Sequence, residues 1–489
     1  MRWRFLPIQK SLTLFVGLFA FSAGVLLLIA ASEAIVLTTE QEFSHFWRGT
    51  YDILVRPSGT RSPIEEKYGL VEANHLSGIS GGITITQYET IKTVPGVEVA
   101  APIAMVGDIH QLVTTESLGP LLRPGAYAVE KVLTVDNGIT LLPISETTYI
   151  YIGPENPPGG SIDFALKTGI VVNPSFAEHL GIRSHVGIHF LLAGIDPEQE
   201  AALIGLDQAL EEGKYLTAGP VVSLPAGFDQ MDRQAPAIVV NVPSLINATP
   251  YISVTLEVSL TQMSVESLSL QEILARGGKE YLASLPREVL SFQRMDGKDI
   301  SQKLVENLKQ RSSTLSYFVT SLPAPLVYQE LKSSHGDGNL VLELVMPPSS
   351  DKGWYGEPNY RQCDPLTLTV AFQVEAKGIF DITRIPPPPD VNRVPLETYF
   401  PPLATLRYDE MGHPVEPRIL RPTLNPCGYI QSPPLILTTL EGARALRGDN
   451  CISAIRVRVG GIDALTPQAQ RKIEAVASEI HRRTGLDVD

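Results

Sequence analysis

The sequence predicts an α+β protein: an N-terminal transmembrane helix, then a discontinuous α/β extracytoplasmic domain that carries a large β-rich insertion. Three observations lead there. One uncharged apolar run lies near the N-terminus, both ends of the remaining chain read as strand, helix, strand, and the middle is a series of short apolar strands broken by Gly and Pro. The expected organisation is a cytoplasmic tail over residues 1–11, the membrane helix over 12–37, the first part of a membrane-proximal domain over 38–110, the insertion over 111–430 and the returning part over 431–489.

The apolar run from Leu12 to Ala31 carries no charge, and apolar character resumes at Ala34 to Leu37. A helix of about 20 such residues crosses a bilayer core. Arg2, Arg4 and Lys10 stand before it, whereas Glu33, Glu40 and Glu42 precede the next basic residue, Arg48. The positive-inside rule then puts the N-terminus in the cytoplasm and the bulk of the chain outside a cell membrane crossed once. A cleaved signal peptide shares the basic start and small residues such as Ala30, Ala31 and Ala34, but its apolar region is roughly 7–15 residues, shorter than this one. Both readings put the rest of the chain in the same compartment.

Beyond the span, Tyr51 to Arg56 alternates like a strand. Thr86 with Glu89 has the spacing of a capping box, opening a helix that stops at Pro95-Gly96, and Val97 to Met105 reads as a buried strand. The far end repeats the plan. Leu435 to Leu437 is apolar, Thr439 can cap a helix ending at Gly448, and Ile452 to Val459 alternates strictly. A stronger helix follows, with Thr466 as N-cap, Pro467 in its first turn, Ile473, Val476, Ala477 and Ile480 as its buried stripe and Gly485 as its stop. Arg471, Lys472, Arg482 and Arg483 fall off that stripe, on a solvated face, and Leu486 to Val488 begins another strand.

In the middle, candidate strands are Thr148 to Ile152, Gly169 to Asn173, His185 to Leu191, Pro236 to Asn241, Ile252 to Ser259, Leu340 to Met346 and Leu366 to Ala376. Helical sequence is expected from Met263 to about Arg311, clearest from Ser301 onward. Pro386 to Pro389 can only be an extended connector.

A formal charge of -14 is the wrong sign for a phosphate-binding surface and argues against nucleic acid as a partner. The three cysteines, Cys363, Cys427 and Cys451, are too few for a metal framework. Three separate thiols is the base-rate reading. In an oxidising compartment the alternative is a bridge between Cys363 and Cys427, both in turn-rich sequence, worth about 4 kcal/mol in the chain-entropy model. No Walker A loop occurs: around Gly277-Gly278-Lys279, Ile273 stands where the first glycine belongs and Glu280 where the hydroxyl belongs. Gly-x-Ser-x-Gly and His-Glu-x-x-His are absent as well. No catalytic, cofactor-binding or metal residue is therefore assigned.

His179, His185 and His189 lie close together, yet on a strand His185 and His189 stand about 13 Å apart, too wide to share one ion. Asn247-Ala248-Thr249 and His335 to Gly338 are patterns common by chance, the latter explained by a hairpin turn.

Six segments together resemble the permease subunits of MacB/FtsX type, the macrolide-export and lipoprotein-release branch of ABC transporters. They are the basic start and span, Tyr51 to Pro57, Ile83 to Ile103 with its Pro-Gly-Val, Val171 to Leu192, and Phe372 to Asp381, closed by Ile452 to Gly485. The resemblance implies a mechanical role in which a cytoplasmic ABC ATPase moves the spans and the outer domain acts on a hydrophobic substrate or an envelope partner. It implies no catalytic residue and no cofactor, and is compatible with a homodimer. Tyr51 to Met105 and Leu435 to Val488 would form the force-receiving domain. Family members continue through further spans. This chain runs to Asp489 without a second one, so the resemblance implies a split or truncated permease, or an outer domain retained on a single span; one span forms no translocation path and requires a partner subunit. The competing readings are a single-span envelope binding or adaptor protein independent of ATP, and a membrane-anchored enzyme.

Overall fold

The computed structural model describes residues 50–489 except 73–74, 119–123, 154–166, 173–182, 219–221, 224–237, 246–253, 265–268, 310–318, 332–339, 366–371, 386–398, 401–403, 410, 424, 463 and 465. The span expected at 12–37, His179, Asn247 to Thr249, His335 to Gly338 and Pro386 to Pro389 lie outside these residues.

In chain order the strands are β1 (Ile53–Arg56), β2 (Val97–Thr114), β3 (Gly125–Asp136), β4 (Leu141–Ile152), β5 (Ile170–Val172), β6 (His185–Ile195), β7 (Leu210–Gly213) and β8 (Val222–Ser223). They continue with β9 (Ile238–Leu245), β10 (Val254–Met263), β11 (Arg287–Met295), β12 (Val319–Pro323), β13 (Tyr328–Leu331), β14 (Val341–Leu344) and β15 (Cys363–Pro365). The last are β16 (Phe372–Phe380), β17 (Thr405–Tyr408), β18 (Pro414–Ile419), β19 (Ile436–Thr439), β20 (Ala454–Val459) and β21 (Asp487–Val488).

The fold is mixed α+β. Its main sheet has the order β21-β1-β20-β2-β6-β19-β9-β16-β7, with β12 attached to β2, β15 to β12 and β8 to β9. Strands from the two ends of the chain, β1, β20 and β21, sit side by side, and β2 joins them to strands from the middle of the sequence. β1 and most of β20 are buried on both faces, which fits their near-continuous Ile, Leu and Val content. On one side lie the helices Ile85–Lys92 and Pro467–Thr484, whose Tyr88, Ile91, Val476 and Ile480 join the core. On the other, Leu203 of the helix Pro197–Ile204 meets Val99 and Ala101.

The helix Pro467–Thr484 follows its local signals. Thr466 accepts from the Ala469 amide, Pro467 opens it, and Gly485 closes it in the left-handed region at φ 69. The cap of the earlier helix lies two residues before the expected one: Thr84, with Gln87, forms the capping box in place of Thr86 with Glu89. Glu89 instead reaches Lys92 one turn on. Gly96 has a second constraint besides its φ of 97, because a Cβ there would stand 2.8 Å from Val476 Cγ2.

β2 differs most from expectation. Its 18 residues run past Met105 to Thr114, first beside β20 and then beside β6 and β12, with irregular register around Met105 and Gly107.

A second sheet, β11-β10-β3-β4-β5, turns Tyr127, Leu133, Leu256 and Val258 into the main core. Its other face is capped by the short helices Leu270–Ala275 and Lys279–Ser284 through Ile273 and Leu282. The stretch Met263 to Arg311 is therefore not continuously helical: β11 lies inside it, and Gly277-Gly278 makes the turn between two helices, the Gly278 amide donating to the Ile273 carbonyl. Two small hairpins, β13–β14 and β17–β18, complete the strands.

Candidate functional site

Three places concentrate polar chemistry. The first is the seam where the chain ends meet. Leu54 and Asp489 exchange backbone hydrogen bonds of 2.9 Å each. Arg56, 1% exposed, donates from Nε to the Asp489 carboxylate at 2.8 Å and also pairs with Glu65. Burial works against the Arg56 guanidinium, but the hydrogen bonds to Glu65 and Asp489 outweigh it and hold its pKa above the ordinary value. Beside it, Arg458 ties the Thr50 carbonyl (2.9 Å) to the Leu203 carbonyl (2.7 Å).

Arg456 and Glu200 form a fully enclosed ion pair at 2.5 Å between β20 and the helix Pro197–Ile204. Such a pair contributes little net stability, but removing one partner leaves an uncompensated buried charge. The seam thus fixes Thr50 to Arg56, the last strand and one helix into a single block.

The second place surrounds the cysteines. Cys363 and Cys427 are bonded to each other, their Cα atoms 5.8 Å apart, while Cys451 is a buried thiol that burial raises to about 11. Next to the bridge, all five N–H positions of Arg361 are used. They reach the carbonyls of Gly428 (3.1 Å), Ala324 (3.2 Å) and Tyr429 (3.1 Å), Gln431 Oε1 (3.1 Å) and Glu72 Oε1 (2.9 Å). The other Glu72 oxygen accepts from the Leu326 amide at 2.7 Å. A cavity of about 240 Å³ adjoins this clasp, lined chiefly by Ile64, Leu70, Val71, Pro325 and Leu326. Its carboxylates, Glu65 and Glu72, are already committed to arginines, and the hydroxyls of Thr60, Ser62 and Tyr328 complete its polar lining.

The third place is one face of the β2–β6 pair. His189 stands opposite His110, their ring centroids 4.7 Å apart, and Trp354 meets His189 edge-on at 4.6 Å. Tyr355 donates to the Gly187 carbonyl at 2.7 Å. Burial, with a smaller contribution from His110, lowers His189 to about 3, and burial lowers His110 as well. Both rings are therefore neutral at physiological pH. His185 is exposed, opposite Thr114 at the start of β6, and is not brought onto His189. Local spacing could not reveal His110, because its nearness to His189 follows from strand register alone.

Among the described residues, no group of three His, Cys, Asp or Glu side chains is placed to hold a metal ion, and no helix is long and apolar enough to cross a membrane. The chain matches no protein-family model, no curated protein and no solved structure.

Proposed function

We propose that this chain is the first span and extracytoplasmic domain of an ABC-permease-like protein of MacB/FtsX type. In it, ATP hydrolysis by a cytoplasmic partner moves the spans, and the outer domain passes that movement to a hydrophobic substrate or an envelope partner. The chain sits in the cell membrane with its N-terminus inside, the bulk of it outside, and contributes no catalytic residue. Its membrane-proximal α/β domain is discontinuous, built from both ends of the sequence around the β-rich insertion.

What supports this reading is the path of β2. It starts at Val97 opposite Val459, in the block that holds Thr50 and Asp489, and runs as one strand of 18 residues to Thr114, with register shifts after Val97 and between Met105 and Gly107. At about 3.3 Å per residue its contour length is at most roughly 60 Å. A displacement applied at the seam is carried along β2 and β6 to the second sheet and to the histidine face. A close-packed core transmits such a shift because it has little compressibility.

The test is to read the coding DNA beyond the codon for Asp489 and the adjacent genes. The reading expects further apolar segments of about 20 residues each and an ATPase with a Walker A loop. A source genome with neither contradicts it.

A further inference from the structure

In an antiparallel pair, residues directly opposite on one face have Cβ atoms about 4.5–5.5 Å apart. Two imidazoles so placed can share an ion held at about 2.0–2.1 Å from each ligating nitrogen. His110 and His189 occupy such positions in β2 and β6, with ring centroids 4.7 Å apart. His189 is 8% exposed, and neither of its ring nitrogens has a hydrogen-bond partner. Buried polar atoms are seldom left so, and an orphaned pair of nitrogens beside a second imidazole is what a missing ligand would satisfy. Gly187 completes the arrangement, since a Cβ there would overlap His110 Nε2, so only glycine lets that ring lie across the strand. The cluster is open on one side, where His110 is half-buried and Trp354 is 40% exposed.

We propose that His110 and His189 chelate a divalent transition-metal ion of the copper and zinc class, with water completing its coordination. Imidazole pairs suit these ions, and affinity rises from zinc to copper. Among the described residues no group of three His, Cys, Asp or Glu side chains is placed there, so the two imidazoles are the protein ligands proposed.

The test uses the full chain in detergent, purified without a polyhistidine tag and titrated with Cu(II) at neutral pH. In a Trp3→Phe, Trp47→Phe background, quenching of the remaining tryptophan, Trp354, reports occupancy, and the copper EPR spectrum reports the number of nitrogen ligands. The expected result is one saturable site with two nitrogens. His110→Asn and His189→Phe should each weaken it by about tenfold or more, while His185→Gln leaves it unchanged. His189→Phe removes an unpartnered buried polar group, so the fold tolerates it, and His110→Asn on the half-exposed rim provides a second folded variant. Binding that is unsaturable in the natural chain, or unchanged in both folded variants, overturns the proposal.

Discussion

Arg456 on β20 and Glu200 on the helix Pro197–Ile204 face each other at 2.5 Å with both side chains enclosed, 3% and 0% exposed. This pair joins the returning strand to a helix drawn from the middle of the chain, close to the seam. Arg456→Met should cost about 3–5 kcal/mol because Glu200 is left charged and buried. The double variant with Glu200→Leu should recover most of that loss. Urea unfolding of the natural protein and the two variants, followed by circular dichroism, measures both numbers.

Gly96 and Val476 make a steric prediction. Gly96→Ala meets both a φ of 97 and Val476 Cγ2 at 2.8 Å, so it should destabilise by about 1–3 kcal/mol. Val476→Ala in the same background should relieve the contact but not the backbone strain. A non-additive double-mutant cycle in thermal melts is the expected signature.

The cysteines differ in reactivity. With the Cys451 thiol raised to about 11 by burial, iodoacetamide at pH 8 should label no cysteine of the folded, oxidised chain. The unfolded thiol ionises at lower pH than the folded one. This group's contribution to stability is therefore complete below the ordinary thiol value and is lost as pH rises toward 11. Replacing Cys363 and Cys427 by Ser removes a bridge across a sequence separation of 64, which should cost about 4 kcal/mol in the chain-entropy model. Mass spectrometry of the alkylated peptides and denaturant titration check these in turn.

Glu357, buried and accepting from the Thr423 hydroxyl, has its pKa raised chiefly by desolvation. Its folded-state pKa lies above the unfolded one, so its contribution is present at low pH and is lost as pH rises through the folded value. Glu357→Gln should therefore stabilise by about 1 kcal/mol at pH 7 and by little at pH 4. Melting temperatures of the two proteins across that range should converge on the acid side.

What the sequence made legible was local. Thr466, Pro467 and Gly485 mark their helix because capping is decided within one turn, and Thr439 and Gly448 mark another in the same way. Thr86 misled because Thr84-Gln87 offers the same spacing two residues earlier, and only the chain's approach from Ile83, paired with Ile452, chooses between them. β11 was hidden inside an apparently helical stretch since its side chains are mostly exposed, and its strand character comes from pairing with β10. The Arg361 clasp, the Glu200–Arg456 pair and the His110–His189 face each join segments far apart in sequence. No local pattern encodes them, since register and packing bring them together.

The most direct test of the mechanical account is to purify the full chain from its own cell membranes in mild detergent and assay what accompanies it. The account predicts an ABC ATPase and further membrane spans at fixed stoichiometry, with ATP hydrolysis that changes when Arg56→Met loosens the seam. A chain that purifies alone and stable, with no associated ATPase, contradicts it.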